Sequence, residues 1–148
     1  MIHIEAEIPF PQNLLKGAAR ATLEHESESL DVDLSIILTD DARLHELNLN
    51  YLGVDASTDV LSFPASETDP ETGARYIGDI LISAPRAQAQ AEAASHPLEA
   101  ELQLLVVHGV LHLLGHNHAR AKEKVRMWKA QAEILERLGL GHIQIREE

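Results

Sequence analysis

Residues 104–114, LLVVHGVLHLL, are apolar on every side of a helix, because Leu104, Leu105, Val106, Val107, Val110, Leu111, Leu113 and Leu114 leave no polar face. Such a helix has to be central, and the remaining elements must be built around it. Two histidines lie inside it, His108 and His112. Burying their imidazoles is costly unless the ring nitrogens find partners. At 100° per residue these two stand about 40° apart and one turn along the axis, so both rings can reach one ion. His118 joins them only if the chain turns back. On a continued helix it would stand about 120° from His112 and about 9 Å further along. Gly115 permits the reversal, since glycine adopts positive φ without steric cost. The pattern H-x3-H-x2-G-x2-H therefore carries three candidate ligands and the hinge that brings the third one round. The plainer alternative is a set of core histidines hydrogen-bonded to backbone carbonyls.

Three neutral imidazoles leave a divalent ion at full charge with one tetrahedral position open, the layout of a catalytic rather than a structural zinc. Zinc in such a site lowers the pKa of a water to about 7. His116 offers a fourth imidazole that would close the site, and the spacing alone leaves that open. The same spacing occurs in zinc proteases, where a glutamate follows the first histidine as general base. Here that residue is Gly109, so peptide hydrolysis lacks its base.

The flanking sequence predicts an α+β fold. IHIEAEI (2–8) alternates apolar and charged residues and reads as a strand ended by Pro9 and Pro11. Residues 12–29 read as a helix, and the Glu-rich EHESES (24–29) as its solvated end. VDLSIILTD (32–40) is a second strand. Asp40 then caps a helix over DARLHELNLNY. TDVLSFP (58–64) and RYIGDILIS (75–83) are two more strands, joined as a hairpin by a loop rich in Asp, Pro, Gly and Thr. Ser83 caps the Ala-rich helix APRAQAQAEAA, and SHP (95–97) breaks it. Pro97 suits the first turn of the central helix, which runs to about Leu114. A last helix covers roughly 119–138 and ends at Gly139. The expectation is one small domain over 1–148, with about four strands in a mixed sheet packed with helices around a zinc-binding central helix.

Composition narrows the function classes. The 148 residues include no cysteine, which excludes disulfides and Cys-based metal, haem and iron–sulfur sites. A net charge of −12 argues against coating nucleic acid by counterion release, though not against a local cationic site. Aromatics make up 3%, too few for a large base-stacking platform. MIHIEAEIPF has neither the basic nor the apolar region of a signal peptide, and no uncharged run is long enough for a membrane span. The expected location is cytoplasmic, with no membrane partner.

HGVLHLLGHNH (108–118) resembles the signature H-G-x-L-H-L-x-G-x-D-H of the YbeY family of bacterial rRNA maturation factors. LNLNYLGVDASTDVLSFP (47–64) is similar to the family's L-N-x-x-Y-R-x-x-D-x-x-T-D-V-L-S-F-P, and IGDILIS (77–83) to its G-D-I-x-I-S. The three segments occur in the family's order. The resemblance implies one Zn²⁺ per chain held by His108, His112 and His118. It also implies a single-strand-specific endoribonuclease for 3′ maturation of small-subunit (16S) rRNA and for ribosome quality control. The implied partners are rRNA and the small ribosomal subunit, with no DNA expected.

Two residues depart from the family pattern. Leu52 replaces the usual arginine, which would hold a phosphate or stabilise a phosphoryl transition state. Asn117 replaces an aspartate, removing a carboxylate that would orient a histidine. Arg75, Arg86 and Arg120 are candidate substitutes for the missing arginine. Asp79 either faces solvent or serves as proton acceptor or histidine-orienting group. Ser62 reads as a turn or capping residue rather than a substrate contact, and Tyr51 as core or site edge. His3, His25, His45, His96 and His142 are scattered and expected to be exposed. No residue is singled out as general base or as substrate-binding. Two alternatives stand beside the nuclease: a zinc metalloprotease-like hydrolase, and a non-catalytic ribosome-assembly factor stabilised by zinc.

Overall fold

The structure, a computed structural model, describes residues 1–6, 10–28, 31–116 and 119–143. The elements follow in the order β1 (Ile2–Ala6), α1 (Gln12–His25), β2 (Val32–Thr39), α2 (Asp41–Leu52), β3 (Val60–Thr68), β4 (Arg75–Ser83), α3 (Ala84–Ala94), α4 (Leu98–Leu113) and α5 (Ala121–Arg137). The sheet order is β1-β2-β4-β3. β1, β2 and β4 run parallel, and β3 closes the edge antiparallel to β4. The mixed sheet and the α+β class agree with the sequence reading.

Alternation along the strands sorts the layers, because successive side chains point to opposite faces. Leu34, Ile36, Leu38, Ile80 and Ile82 face the main core, which α1, α3, α4 and α5 cover. Ile37, Leu61 and Leu81 face the other way, against Leu44 and Leu47 of α2. The central position predicted for α4 holds: every residue from Ala100 to Leu111 is buried. Leu102, Val106, Val107, Val110 and Leu111 are fully inaccessible, and each such side chain stabilises the fold by about 1.5–3 kcal/mol relative to exposure. Gly109 allows the close approach of α4 to the sheet. A Cβ on it would stand 2.8 Å from Cγ2 of Ile80.

The predicted caps form as expected. The Asp40 side chain accepts from the Arg43 N–H at 2.8 Å, and the Ser83 hydroxyl accepts from the Arg86 N–H at 3.3 Å. The end of α1 differs. The helix stops at His25, four residues short of its predicted end, because Ser27 takes φ +56° and the Glu28 N–H returns to the Leu23 carbonyl at 2.8 Å. β3 also runs further than TDVLSFP, through Thr68, so the hairpin loop is shorter than its composition suggested. Among the described residues no helix is long and apolar enough to cross a membrane.

Candidate metal centre

The C-terminal half of α4 brings His108 and His112 together. Their Nε2 atoms stand 3.1 Å apart, with ring centroids at 4.6 Å and planes inclined by 73°. Tetrahedral ligands about 2.05 Å from zinc stand about 3.3 Å from one another. The two nitrogens are therefore spaced as neighbouring ligands of one ion. His108 is 9% exposed. Its Nδ1 donates to Oε1 of Gln131 at 3.0 Å, and Gln131, on α5, is itself buried. That bond fixes the tautomer. With the proton on Nδ1, the lone pair sits on Nε2, the atom turned toward His112.

The turn after α4 is built as Gly115 suggested. Gly115 takes φ +97°, its N–H returns to the His112 carbonyl at 3.0 Å, and the His116 N–H returns to that of Leu111 at 3.0 Å. This pair of bonds satisfies the last helical carbonyls and reverses the chain. Asn117 and His118 lie outside the described residues. Of the three predicted ligands the structure thus brings two together. No group of three or more metal-ligating side chains occurs among the described residues.

His116 points elsewhere. Its Nε2 is hydrogen-bonded to Oε1 of Glu26, and the imidazole is only 6% exposed. The other Glu26 oxygen meets Nδ1 of His25 at 2.8 Å, and Nε2 of His25 meets Glu133 at 2.8 Å. Burial pushes the Glu26 carboxyl up, but the hydrogen bonds from His116 and His25 outweigh it and hold the group below the usual range. The Glu133 hydrogen bond, working against burial and aided by Glu26, holds His25 above its ordinary value. EHESES is therefore not simply a solvated helix end, and His25 is not a free surface histidine. His96 also departs from expectation. Its side chain is 8% exposed and bonds a fully buried Glu101 at 2.7 Å. His3, His45 and His142 are exposed as predicted.

A cleft of about 440 Å³ opens onto the histidine pair, lined by Leu52, Thr58, Val60, Leu61, Ser62 and Pro64 together with His108 and His112. The Ser62 hydroxyl donates to the Gly109 carbonyl at 3.2 Å and ties β3 to α4. The Thr58 hydroxyl donates to Oδ1 of Asp59 at 3.3 Å. Sequence reasoning passed over Asp59. It is buried, accepts the Val60 N–H at 2.8 Å, and its Oδ2 has no hydrogen-bond partner among the described residues. Leu52 and Tyr51 are both exposed, and the Tyr51 ring stands edge-on to Phe63 at 5.7 Å, outside the cleft lining.

None of Arg75, Arg86 and Arg120 lines the cleft. Arg75 pairs with Glu28 and Arg86 with Asp41. Asp79 alternates with Ile80, which contacts α4, and so belongs to the opposite face of the sheet. There the Tyr76 hydroxyl donates to Asp79 and also contacts Ser35 Oγ at 2.8 Å. Among the described residues Asp79 is bonded to Tyr76 rather than to a histidine, and it does not open simply to water.

The comparisons with known proteins agree with one another. Residues 3–139 match the family model described as Endoribonuclease YbeY. A protein of Roseiflexus sp. (strain RS-1) named Endoribonuclease YbeY is 46% identical over 133 residues, covering 86% of this chain and 83% of that protein. One of the same name from Desulforamulus reducens is 38% identical over 145 residues, covering 93% and 95% respectively. The solution structure of TM1509 from Thermotoga maritima is similar with a TM-score of 0.58 and 26% identity, over 100% of this chain and 99% of that one.

Proposed function

The chain belongs to the endoribonuclease YbeY family, and from that premise we propose that it is an RNA-cutting enzyme whose zinc is held by His108, His112 and His118. Its substrate in this reading is single-stranded RNA, at the 3′ end of small-subunit rRNA, and its setting is ribosome maturation and quality control. The observation that carries the metal assignment is the 3.1 Å approach of two Nε2 atoms, one kept as a lone-pair donor by Gln131. Zinc held there supplies Lewis acidity toward a phosphodiester oxygen and acidifies a water.

The chain's own residues set the surroundings. Gln131 orients His108, and the positive φ of Gly115 ends the helix just beyond the pair. His116, engaged by Glu26, would not be available as a further ligand to a metal held there. Ser62 and Thr58 commit their hydroxyl protons to protein acceptors. Their oxygens are left to accept from donors in the cleft, and the ribose 2′-OH is the donor that distinguishes RNA from DNA. Gly109 weighs against peptide hydrolysis more heavily than sequence alone indicated. A glutamate in its place would drive its Cβ into Ile80.

A second reading has a specific observation in its favour. Leu52 lines the cleft where the family pattern has arginine, and among the described residues no arginine replaces it in the lining. That suits a ribosome-assembly factor in which zinc serves stability alone. One experiment separates the readings. Purified protein and a His112→Ala variant are incubated with single-stranded RNA and with peptides, with and without chelator, and bound zinc is measured. RNA cutting that chelator and the variant both abolish supports the nuclease. One zinc per chain without turnover of either substrate supports the assembly factor. Peptide cleavage or a metal-free wild type overturns the proposal.

A further inference from the structure

The metal reading leaves one cluster unused: Glu133, His25, Glu26 and His116 form a continuous chain of carboxylates and imidazoles from α5 across the end of α1 to the turn after α4. We propose that Glu26 is a positioning residue for the metal centre, gripping His116 and thereby fixing the turn that joins His112 to His118. This rests on the metal reading above.

Both partners in the grip are themselves held by their backbones. Glu26 is the residue at which α1 ends, and its place is set by the reversal at Ser27. His116 follows Gly115 and is set by its own N–H bond to Leu111. α1 packs against α4, so the two helix ends meet. The imidazole and the carboxylate are 6% and 18% exposed, which shields the contact from competing water. His25 holds the second oxygen of Glu26 and is itself held by Glu133, so the carboxylate cannot swing away from His116 without also breaking its bond to an anchored His25. His118 is two residues beyond His116. Two residues span at most about 7 Å, so anchoring His116 confines where the third ligand's backbone can lie. A flexible turn would have to be ordered each time metal binds, and that cost would appear as weaker affinity.

The test is zinc affinity of the full chain, measured by competition with a chromophoric chelator. Melting temperatures with and without zinc accompany it. Glu26→Ala is expected to weaken zinc binding about 10–100-fold, the range for residues that orient metal ligands. Glu26→Gln restores most of it, because the amide oxygen still accepts from His116. His116→Ala shows a loss like that of Glu26→Ala, and the double variant loses no more than either single one. The rise in melting temperature on adding zinc shrinks in the Ala variants. A merely structural role would lower both melting temperatures equally and leave the rise unchanged. Zinc affinity within twofold of wild type in Glu26→Ala overturns the proposal, as does an undiminished rise. If that variant does not fold, His116→Ala decides on the same criteria. Wild-type protein that takes up no zinc overturns the metal reading and this inference with it, whereas zinc bound equally by wild type and variant overturns this inference alone.

Discussion

Helix α4 has buried histidine at both of its ends, and the two ends solve the same problem differently. At the N-terminal end His96 meets the carboxylate of Glu101 at 2.7 Å, with the imidazole 8% exposed and the carboxylate fully buried. At the C-terminal end His108 meets His112, nitrogen to nitrogen, at 3.1 Å. An imidazole with a carboxylate partner has its N–H satisfied by a charge of the protein's own, and nothing further is required of that site. Two imidazoles that turn Nε2 toward each other, one fixed as an acceptor by Gln131, concentrate lone-pair character at one point. Only a shared proton or a cation suits that point. Burial and residue type are alike at the two ends. In the proposed reading, the partner's chemistry is what separates a structural histidine from a metal ligand.

The largest effect that could break this contrast is the loss of one ligand. His112→Ala is expected to weaken zinc binding on the order of a thousandfold, about 4 kcal/mol, with equilibrium dialysis as the measurement. His96→Ala should leave that affinity within twofold of wild type. Equal losses from both substitutions would show that the two ends are energetically one site.

Next in size is a stability effect at the opposite end. Glu101→Ala leaves His96 buried beside a lost partner and should destabilise the fold by about 3 kcal/mol, read from urea unfolding midpoints. Zinc affinity should not follow. A parallel fall in both quantities would mean that α4 transmits strain along its length, and the contrast would need to be redrawn.

Gln131→Ala sharpens the contrast within the C-terminal end. His108 keeps its place in α4 but loses the acceptor that fixes its tautomer. About a tenfold loss of zinc affinity is expected. Unchanged affinity would mean that His108 is oriented by packing alone, including its contact with the Trp128 ring at 6.0 Å.

The same contrast explains what could be read from the sequence. The C-terminal end was legible because its information is local: an apolar helix, two histidines a turn apart and a glycine lie within a dozen residues. The burial of α4 and the positive φ of Gly115 follow these local rules, while His118 lies outside the described residues. The strand pattern and the caps at Asp40 and Ser83 were legible for the same reason. What failed was non-local. His116 and Glu26 are 90 residues apart in sequence, and His25 and Glu133 are 108 apart. No periodicity within α1, α4 or α5 encodes such meetings. His96 and Glu101 are close in sequence, yet tertiary packing buries them, and a polar SHP gives no sign of that. Asp79 shows the limit of composition in a strand. Its sequence left solvent, proton acceptance and histidine orientation all open, because the face it takes depends on which way Ile80 points, and that is set by where α4 docks.

The smallest effect measures how much of the His96–Glu101 contribution comes from burial. Asp41 and Arg86 form an ion pair as well, Oδ1 to Nε at 3.0 Å, but their side chains are 44% and 41% exposed. The Arg86 guanidinium, with help from the Ser57 and Ser83 hydroxyls against a small opposing effect of burial, holds the Asp41 carboxyl down at about 2, against an ordinary value of 3.8. A carboxyl whose folded value is depressed contributes stability that is complete above its unfolded value and is lost as pH falls through the folded one. The contribution is therefore full above roughly pH 4 and fades toward pH 2. Solvent screens so exposed a pair, so Arg86→Ala should cost less than about 1 kcal/mol at neutral pH. Urea unfolding of wild type and variant, repeated at stepped pH, should show the difference closing below pH 4 and narrowing in high salt. Were Arg86→Ala to cost as much as Glu101→Ala at neutral pH, burial could not be what makes the N-terminal pair of α4 strong. The contrast between its two ends would then rest on charge alone.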